Sequence, residues 1–534
     1  MNLIWTNLRV PVEEDERELP LLVARKLKVP QMSIGDLQIL RRSVDARKKP
    51  QLFFSYTLRF FLEISYKEMN RVLRRVPELK IEPQGKPVPL FEPAKKLDHR
   101  PIIVGAGPAG YFAALALGKR GYAPIVLERG DDVETRTKKV EAFWKTGQLD
   151  CESNVQFGEG GAGTFSDGKL TTRIADPRIA EVLETFVEQG APPEILFLAK
   201  AHIGTDKLRM VTQGLREKIQ VLGGEVRFRT QFTGLQLQNG RITGVQINHS
   251  EVIPAEAVIL AIGHSARETY RLLLKQGVHL ESKPFAIGLR VEHPQELVNL
   301  SQYGVEHHDK LGPADYQLTY QDSSTGRGAY AFCMCPGGKV VAAASEEGRV
   351  VTNGMSEFRR DSGVANSALV VTVGREDFQG NEPLSGVEFQ QYWEHQAFLA
   401  GGKNYNAPAQ SVRDFLAKRV SGEFPLHSSY APGIKAVDLH SVLPQEVGDV
   451  LERALHAFDH KIHGFAGVKG TLTGIETRTS APVRMTRDKT GEALKFPGLF
   501  PAGEGAGYAG GIMSAAVDGI RSAEQLMAQY YPAE

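Results

Sequence analysis

The residues best placed by type and spacing to do chemistry are three glycines, Gly105, Gly107 and Gly110, in PIIVGAGPAGYFAALALGKRGYAPIVLERG. Before them Ile102, Ile103 and Val104 read as a buried strand. After them Tyr111 to Lys119 reads as an apolar helix, and a second short strand, Pro124 to Leu127, ends on Glu128. Gly105 permits a tight turn, Gly107 lets backbone approach a pyrophosphate, and Gly110 lets helix and strand pack closely. Ala106, Pro108 and Ala109 complete a turn whose free N–H groups, at a helix start, favour an anion. Glu128, 18 residues after Gly110, is placed to accept hydrogen bonds from ribose hydroxyls, with Arg129 beside it. Strand, turn, helix, strand and acid together specify a bound dinucleotide.

Two further runs share the G-x-G-x-x-G spacing. The first, Gly158, Gly160 and Gly163 in GEGGAGTFSDGKL, follows the polar CESNVQF and precedes TFSDGKLTTR, which has turn chemistry and no helical period. It therefore reads as a wall of the first site. Its backbone N–H groups at Gly160, Gly161 and Gly163, the hydroxyls of Thr164 and Ser166, and Lys169 as a point charge would form a nest around cofactor groups. The second, Gly505, Gly507 and Gly510 in PAGEGAGYAGGIMSAAVDGI, runs from a short strand into a helix, Ile512–Met527. This unit reads as a final strand and helix returning to the sheet begun at Ile102. Gly503, Glu504, Gly511 and Ile512 would then border the ligand, Glu504 through ribityl hydroxyls and the helix N-terminus through its N–H groups.

Cys333 and Cys335 invite a redox reading by thiol–disulfide exchange. In an extended strand residues two apart lie about 6.5–7 Å apart, at or beyond the limit for an unstrained disulfide. A turn supplied by Pro336, Gly337 and Gly338 would be needed, and structural or substrate-lining roles are the other readings. His264, in AIGHSAR at the end of a sheet strand, is a candidate general acid or base, or a satisfied capping histidine. His463 and Arg484 are weaker candidates, and Tyr508 could reach the cofactor. No paired-carboxylate, Ser-His-Asp or zinc-ligand spacing occurs, so no metal site is expected.

The order VGAGPAG, Glu128-Arg129-Gly130, AVILAIGHSA and PGLFPAGEGAGYAGGI resembles the glutathione-reductase-like FAD-binding fold. With QFGEGGAGTFSDGKL and CMCPGG, residues 97–534 resemble a family of bacterial FAD-dependent dehydrogenases described as NAD(FAD)-utilising. That resemblance implies one bound FAD and an oxidoreductase acting on a small-molecule substrate. It also implies adenine contacts through backbone near Phe232, and Gly263 beside the cofactor. The fold's usual aspartate after the C-terminal glycine is Glu504 here. No second strand–glycine–helix unit occurs midway along the chain, so NAD(P)H would enter only as a transient co-substrate.

The elements that must position these residues divide the chain into an α/β protein of three parts. Residues 1–96 read as a small basic α/β domain with a Pro-rich linker, and 97–274 and 481–534 as two parts of the FAD domain. Residues 275–480 read as an inserted mixed α+β substrate domain. In the first part a strand opens the chain, a helix covers Leu21–Lys28, and a second strand lies in QLFFSYTLRFFLEIS, with Arg41, Arg42, Arg47, Lys48 and Lys49 between helix and strand. This part holds 19 Lys/Arg against 12 Asp/Glu in a chain whose net charge is +1. A nucleic-acid partner, with the flavin serving RNA modification, is one reading of that excess; solvated faces are the other. A non-enzymatic electron-transfer role is a third reading of the whole chain. The 534 residues hold three cysteines and no apolar run of membrane-spanning length, which fits a cytoplasmic protein.

Overall fold

The computed structural model describes residues 1–82, 93–380 and 382–533. Most of the linker expected from the sequence, 83–92, lies outside them.

Ile102–Val104 is apolar on both faces, and such a strand is stable only with neighbours on both sides and helices above and below. It occupies the centre of a five-stranded parallel sheet. Ile125–Leu127 and then Glu225–Arg227 lie on one side, Val258–Leu260 and then Leu499–Pro501 on the other. The last strand thus returns across almost 400 residues to the sheet that the first one began. The helix Pro108–Gly118 is buried along nearly its whole length. It is pressed between the sheet and the final helix, Ile512–Met527, where a Cβ on Gly519 would stand 2.0 Å from the Ala109 carbonyl oxygen. Only glycine allows that approach.

A second, mixed sheet of seven strands follows the order Thr319–Gln321, Gly328–Cys335, Val364–Val373, Phe285–Pro294, Thr471–Glu476, Ala407–Ser411, Ile434–Ala436. Its neighbours pair antiparallel except the last two. Helices Ser385–Gly401 and Gln445–Lys461 bury apolar faces against it, forming the largest core cluster. Phe232 opens a strand, Phe232–Gln238, in a separate three-stranded antiparallel sheet inserted in sequence between two strands of the five-stranded sheet, Glu225–Arg227 and Val258–Leu260.

The N-terminal part is a four-stranded antiparallel sheet in the order Ile34–Lys48, Gln51–Leu62, Asn2–Pro11, Leu79–Ile81. Two corrections to the sequence reading arise here. Arg41, Arg42, Arg47 and Lys48 do not lie between elements but on the 15-residue strand Ile34–Lys48. Its register slips at three places and its outer edge is bridged, among the described residues, at Arg42 alone, so the two-residue alternation that marks a strand is absent. A second helix, Tyr66–Arg75, was also missed, although Ser65 and Glu68 form a capping box that announces it. Among the described residues no helix is long and apolar enough to cross a membrane.

Candidate functional site

The glycine turn is fixed by contacts that exclude side chains. Gly105 has φ +103° and a Cβ there would meet the Ala261 carbonyl oxygen at 2.3 Å; at Gly110 it would meet the Gly105 carbonyl oxygen at 1.9 Å. The following helix starts at Gly107 with no side-chain cap, and Pro108 opens its first turn. The final helix also starts uncapped, at Gly511 with φ +128°. Both N-termini border the second glycine run: a Cβ on Gly163 would stand 3.1 Å from the Ile512 side chain and 4.0 Å from the Pro108 ring. Each leaves first-turn N–H groups for an external anion, and the paired positive ends suit a diphosphate.

The second glycine run closes the cradle. A Cβ on Gly161 would stand 3.2 Å from the Gly107 Cα, and one on Gly163 would stand 3.1 Å from the Ile512 side chain. Gly107, Pro108, Gly160, Gly163, Thr164 and Ile512 line one cavity. Three buried side chains that the sequence reading did not weigh in these roles hold the run in place. The Glu128 carboxylate accepts the Ala106, Gly130 and Gly158 N–H groups, each at 2.9 Å. A carboxylate has about four acceptor positions, so about one is left for a ribose hydroxyl. Its first task is to tie the two glycine runs together, a task the ribose expectation omitted. Arg136, fully buried, donates to the carbonyls of Asn154, Val155, Gly158 and Glu159. Glu159 accepts from the Tyr111 hydroxyl and the Val133 N–H at 2.8 Å each, and burial raises its pKa to about 6. The signal for Arg136 was a lone arginine on the buried face of the helix Val133–Thr146.

Several expected ligand contacts go elsewhere. The Ser166 hydroxyl donates to the Gly163 carbonyl at 2.6 Å and the Thr164 hydroxyl to the Glu159 carbonyl at 3.2 Å, so both shape their own loop. Lys169 does not face the glycine cradle. Its ammonium pairs with Asp167 at 3.0 Å, donates to the Met334 carbonyl and lies 3.8 Å from the Cys335 sulfur, because the turn after Ser166 carries it toward the seven-stranded sheet. The Arg129 guanidinium is held by Glu152 at 2.8 and 2.9 Å and by Glu268, and it stacks on Phe157. Phe232 packs in the apolar cluster beneath the sheet, two residues after Thr230, whose N–H donates to the Glu128 carbonyl at 2.9 Å. Gly263 meets the C-terminal glycine loop directly. The Tyr270 hydroxyl bridges the carbonyls of Gly263 and Gly505 at 3.2 and 2.9 Å.

Glu504 lies in that loop, and desolvation raises its carboxyl pKa to about 7 against the opposing charge of Lys283. A carboxyl bound more tightly to its proton in the folded state makes stability fall as pH climbs from its ordinary value toward 7. In flavin-free protein, wild type is expected to lose stability between about pH 4.5 and about pH 7 relative to E504Q. Denaturant titrations across that window measure it, and parallel pH dependences would disprove the assignment.

On the cap side, His264 donates to or accepts from the Ser265 hydroxyl at 2.8 Å. Burial, with Arg478 and Arg267 nearby, lowers its pKa to about 3. That shift favours a neutral imidazole hydrogen-bonded to Ser265 over a charged acid. Beside it Arg267 and Arg478 both bind the fully buried Glu394, at 2.6 to 3.1 Å. His463 is exposed just beyond the helix Gln445–Lys461, and Arg484 lies over the Tyr508 ring at 5.3 Å. Among the described residues no group of three or more His, Cys, Asp or Glu could hold a metal ion.

Residues 284–479 match the family described as FAD-dependent protein, C-terminal domain-like, and residues 2–61 match a domain of unknown function. The glycine cradle and its two uncapped helix ends fit the diphosphate of such a cofactor, and Gly107, Ala109, Gly110 and Gly511 are the residues that would hold it. The chain is a flavoprotein, and its cofactor is FAD. It is 48% identical over 526 residues to an uncharacterised protein of Clostridium beijerinckii, covering 98% of each chain, and it belongs to the same family. It is also 25% identical over 166 residues to digeranylgeranylglycerophospholipid reductase of Methanocella arvoryzae, covering 31% of this chain and 38% of that one. Among solved structures, a geranylgeranyl bacteriochlorophyll reductase-like protein of Thermoplasma acidophilum aligns with 14% identity and a TM-score of 0.34, over 80% of this chain and 77% of that one.

Proposed function

We propose that this protein is an FAD-dependent oxidoreductase that moves an electron pair between small-molecule substrates, with its reaction cleft between the glycine cradle and the seven-stranded sheet. The observation that carries the reading is the meeting at one place of the C-terminal glycine loop and the cap. Lys169, at the end of the second glycine run, donates to the Met334 carbonyl of the seven-stranded sheet, and Cys333 and Lys283 of the cap lie close enough to act on the charge of Glu504 in the C-terminal loop. Titratable groups from two units thus border the end of the cradle that the final helix closes. Bound FAD supplies two-electron chemistry, and the chain supplies binding, orientation and groups that hold or move a proton. NADH or NADPH would approach as a diffusing donor, since only one strand–glycine–helix unit of the dinucleotide kind stands in the sheet.

The test is an anaerobic titration of the purified, flavin-replete protein with NADH and then NADPH, followed at the oxidised-flavin absorbance. Bleaching by one of them is the expected result. Flavin that dithionite reduces, but that neither nucleotide nor a panel of alcohols, amines and thiols reduces, would leave the oxidoreductase reading without support.

A further inference from the structure

We propose that Cys333 and Cys335 are a redox-active dithiol that closes to a disulfide when its electron pair passes to the flavin, and opens when the flavin returns it. The inference deepens the FAD reading and rests on it.

The strand Gly328–Cys335 does not keep the flat geometry that would separate the two sulfurs. Its ladder pairs Phe332 with Ala368 and then Cys335 with Asn366, so one extra residue bulges between them. Cys333, within that bulge, has φ +47°, a left-handed conformation that a non-glycine residue adopts only when its surroundings impose it. The consequence is proximity. The Cys335 thiol donates to the Cys333 carbonyl at 3.3 Å, which turns its sulfur back onto the bulged residue. The departure from extended geometry that such a pair needs is supplied by the bulge at Cys333, ahead of the turn expected at Pro336, Gly337 and Gly338.

Two cations flank the pair. The Lys169 ammonium lies 3.8 Å from the Cys335 sulfur, and the Arg290 guanidinium, fully buried, donates to the Cys333 carbonyl at 3.4 Å. Each has its own carboxylate, Asp167 for Lys169 at 3.0 Å and Glu476 for Arg290 at 3.0 Å, so both are fixed in place. The neighbouring Cys335 thiol, Lys169 and Arg290 hold the Cys333 thiol well below the ordinary thiol range. The neighbouring Cys333 and burial push Cys335 up. The pair is thus asymmetric, with Cys333 the more acidic sulfur, the arrangement in which one thiol attacks and the other resolves. Access divides in the same sense, since Cys333 is half-buried and Cys335 is fully buried. Cys333 lies close enough to Glu504, in the loop that precedes the final helix, to act on its charge, which sets the outer thiol toward the cleft assigned to the flavin. Cys151, the remaining cysteine, lies instead beside Glu347 and takes no part.

The step balances without a further reactant. The Cys333 thiolate and the Cys335 thiol together lose one proton and two electrons as the S–S bond forms. Oxidised flavin takes up those two electrons and that proton.

The experiment uses the full-length flavin-replete chain, oxidised with diamide and then titrated anaerobically with dithionite, with FAD counted in every sample. Wild type is expected to consume twice as many reducing equivalents per FAD as C335S. Peptide mass mapping of the oxidised wild type, with or without flavin, is expected to find Cys333 and Cys335 in one peptide, lighter by two hydrogens and closed to alkylation. Should C335S fail to fold, C333A and the alkylation count in wild type decide the matter. A chain that binds no FAD would defeat the cofactor assignment and leave the mass result as the test of the pair. Flavin-replete wild type that consumes no more than the variant, with both thiols alkylated after diamide, overturns the dithiol.

Discussion

Gly110→Ala is expected to release most of the flavin. The added methyl would stand 1.9 Å from the Gly105 carbonyl oxygen and 3.0 Å from its carbon, both backbone atoms that no rotamer change can move. The first turn of the helix must therefore back away from the strand, and forcing such overpacking costs about 1–3 kcal/mol. The greater effect is on the ligand, because the N–H groups aimed at the diphosphate move with that turn. Loss of one charge-assisted hydrogen bond is worth about 1.5–3 kcal/mol, or about ten- to a hundredfold in retention of FAD. Gly107→Ala is the control for the fold. Its methyl would meet only the Gly161 Cα at 3.8 Å, an ordinary contact, so the chain should fold with normal stability while the methyl narrows the cradle. Bound FAD per chain, measured by absorbance after desalting, decides the point. Full yellow colour in Gly110→Ala would show that the dinucleotide lies elsewhere.

The second large effect is expected at Glu394. This carboxylate lies on the helix Ser385–Gly401 and is the only counter-charge within hydrogen-bond reach, among the described residues, that binds both Arg267 and Arg478. Arg267 opens the helix that follows the strand Val258–Leu260, while Arg478 follows the strand Thr471–Glu476. Removing one partner of a buried ion group leaves uncompensated charge in a dry interior, at a cost of roughly 3–5 kcal/mol. Glu394→Ala is therefore expected to lose about that much in urea unfolding monitored by tryptophan fluorescence. The two guanidiniums hold the Glu394 carboxyl well below the usual carboxylate range. A lowered pKa contributes stability that is present above the unfolded value, about 4.3, and that is lost as pH falls below it. E394Q should accordingly be less stable than wild type at pH 7 and converge with it on acidification. A variant within about 0.5 kcal/mol of wild type at pH 7, the range of ordinary surface substitutions, would show the triad to be unimportant.

The nucleotide unit could be read in the sequence because each of its demands is local. Gly105, Gly107, Gly110 and Glu128 lie within one strand–turn–helix–strand stretch, where Gly110 packs on the Gly105 carbonyl and Glu128 accepts the Ala106 N–H, even though Gly105 and Glu128 also answer to Ala261 and Gly158 further along the chain. What escaped notice is what depends on distant partners. Lys169 belongs by sequence to the glycine run, yet its ammonium is claimed by Asp167, Met334 and Cys335, 165 residues or more away in two cases. Arg290 stands in FAIGLRVEH as a charge in an apolar strand, a visible anomaly, but its partner Glu476 arrives only through the pairing of Phe285–Pro294 with Thr471–Glu476. The bulge at Cys333 is set by the neighbouring strand Val364–Val373 and leaves no mark in CMCPGG itself. In the N-terminal sheet the exposed edge strand offered no alternation to detect, whereas the capping box of the helix Tyr66–Arg75 was legible and overlooked.

That N-terminal sheet has a mechanical consequence. The chain passes between the five-stranded and seven-stranded sheets twice, before Phe285 and after Glu476, and two crossings by themselves define an axis about which the halves could rock. The edge strand Ile34–Lys48 is tied to one half, where the Arg42 N–H donates to the Phe197 carbonyl and the Ala199 N–H to the Arg42 carbonyl at 2.8 and 2.9 Å. The N-terminal part is tied to the other half as well, where the Lys49 side chain, just past that strand, donates to the Ser301 carbonyl and the Lys310 side chain donates to that of Glu13. A strut fastened to both sides off the axis turns a hinge into a triangle. The cleft is thus braced by a piece of chain that carries none of the residues assigned to it, and rocking of the two halves must strain these four attachments together with the direct bonds between the halves, Arg267 to Glu394 among them.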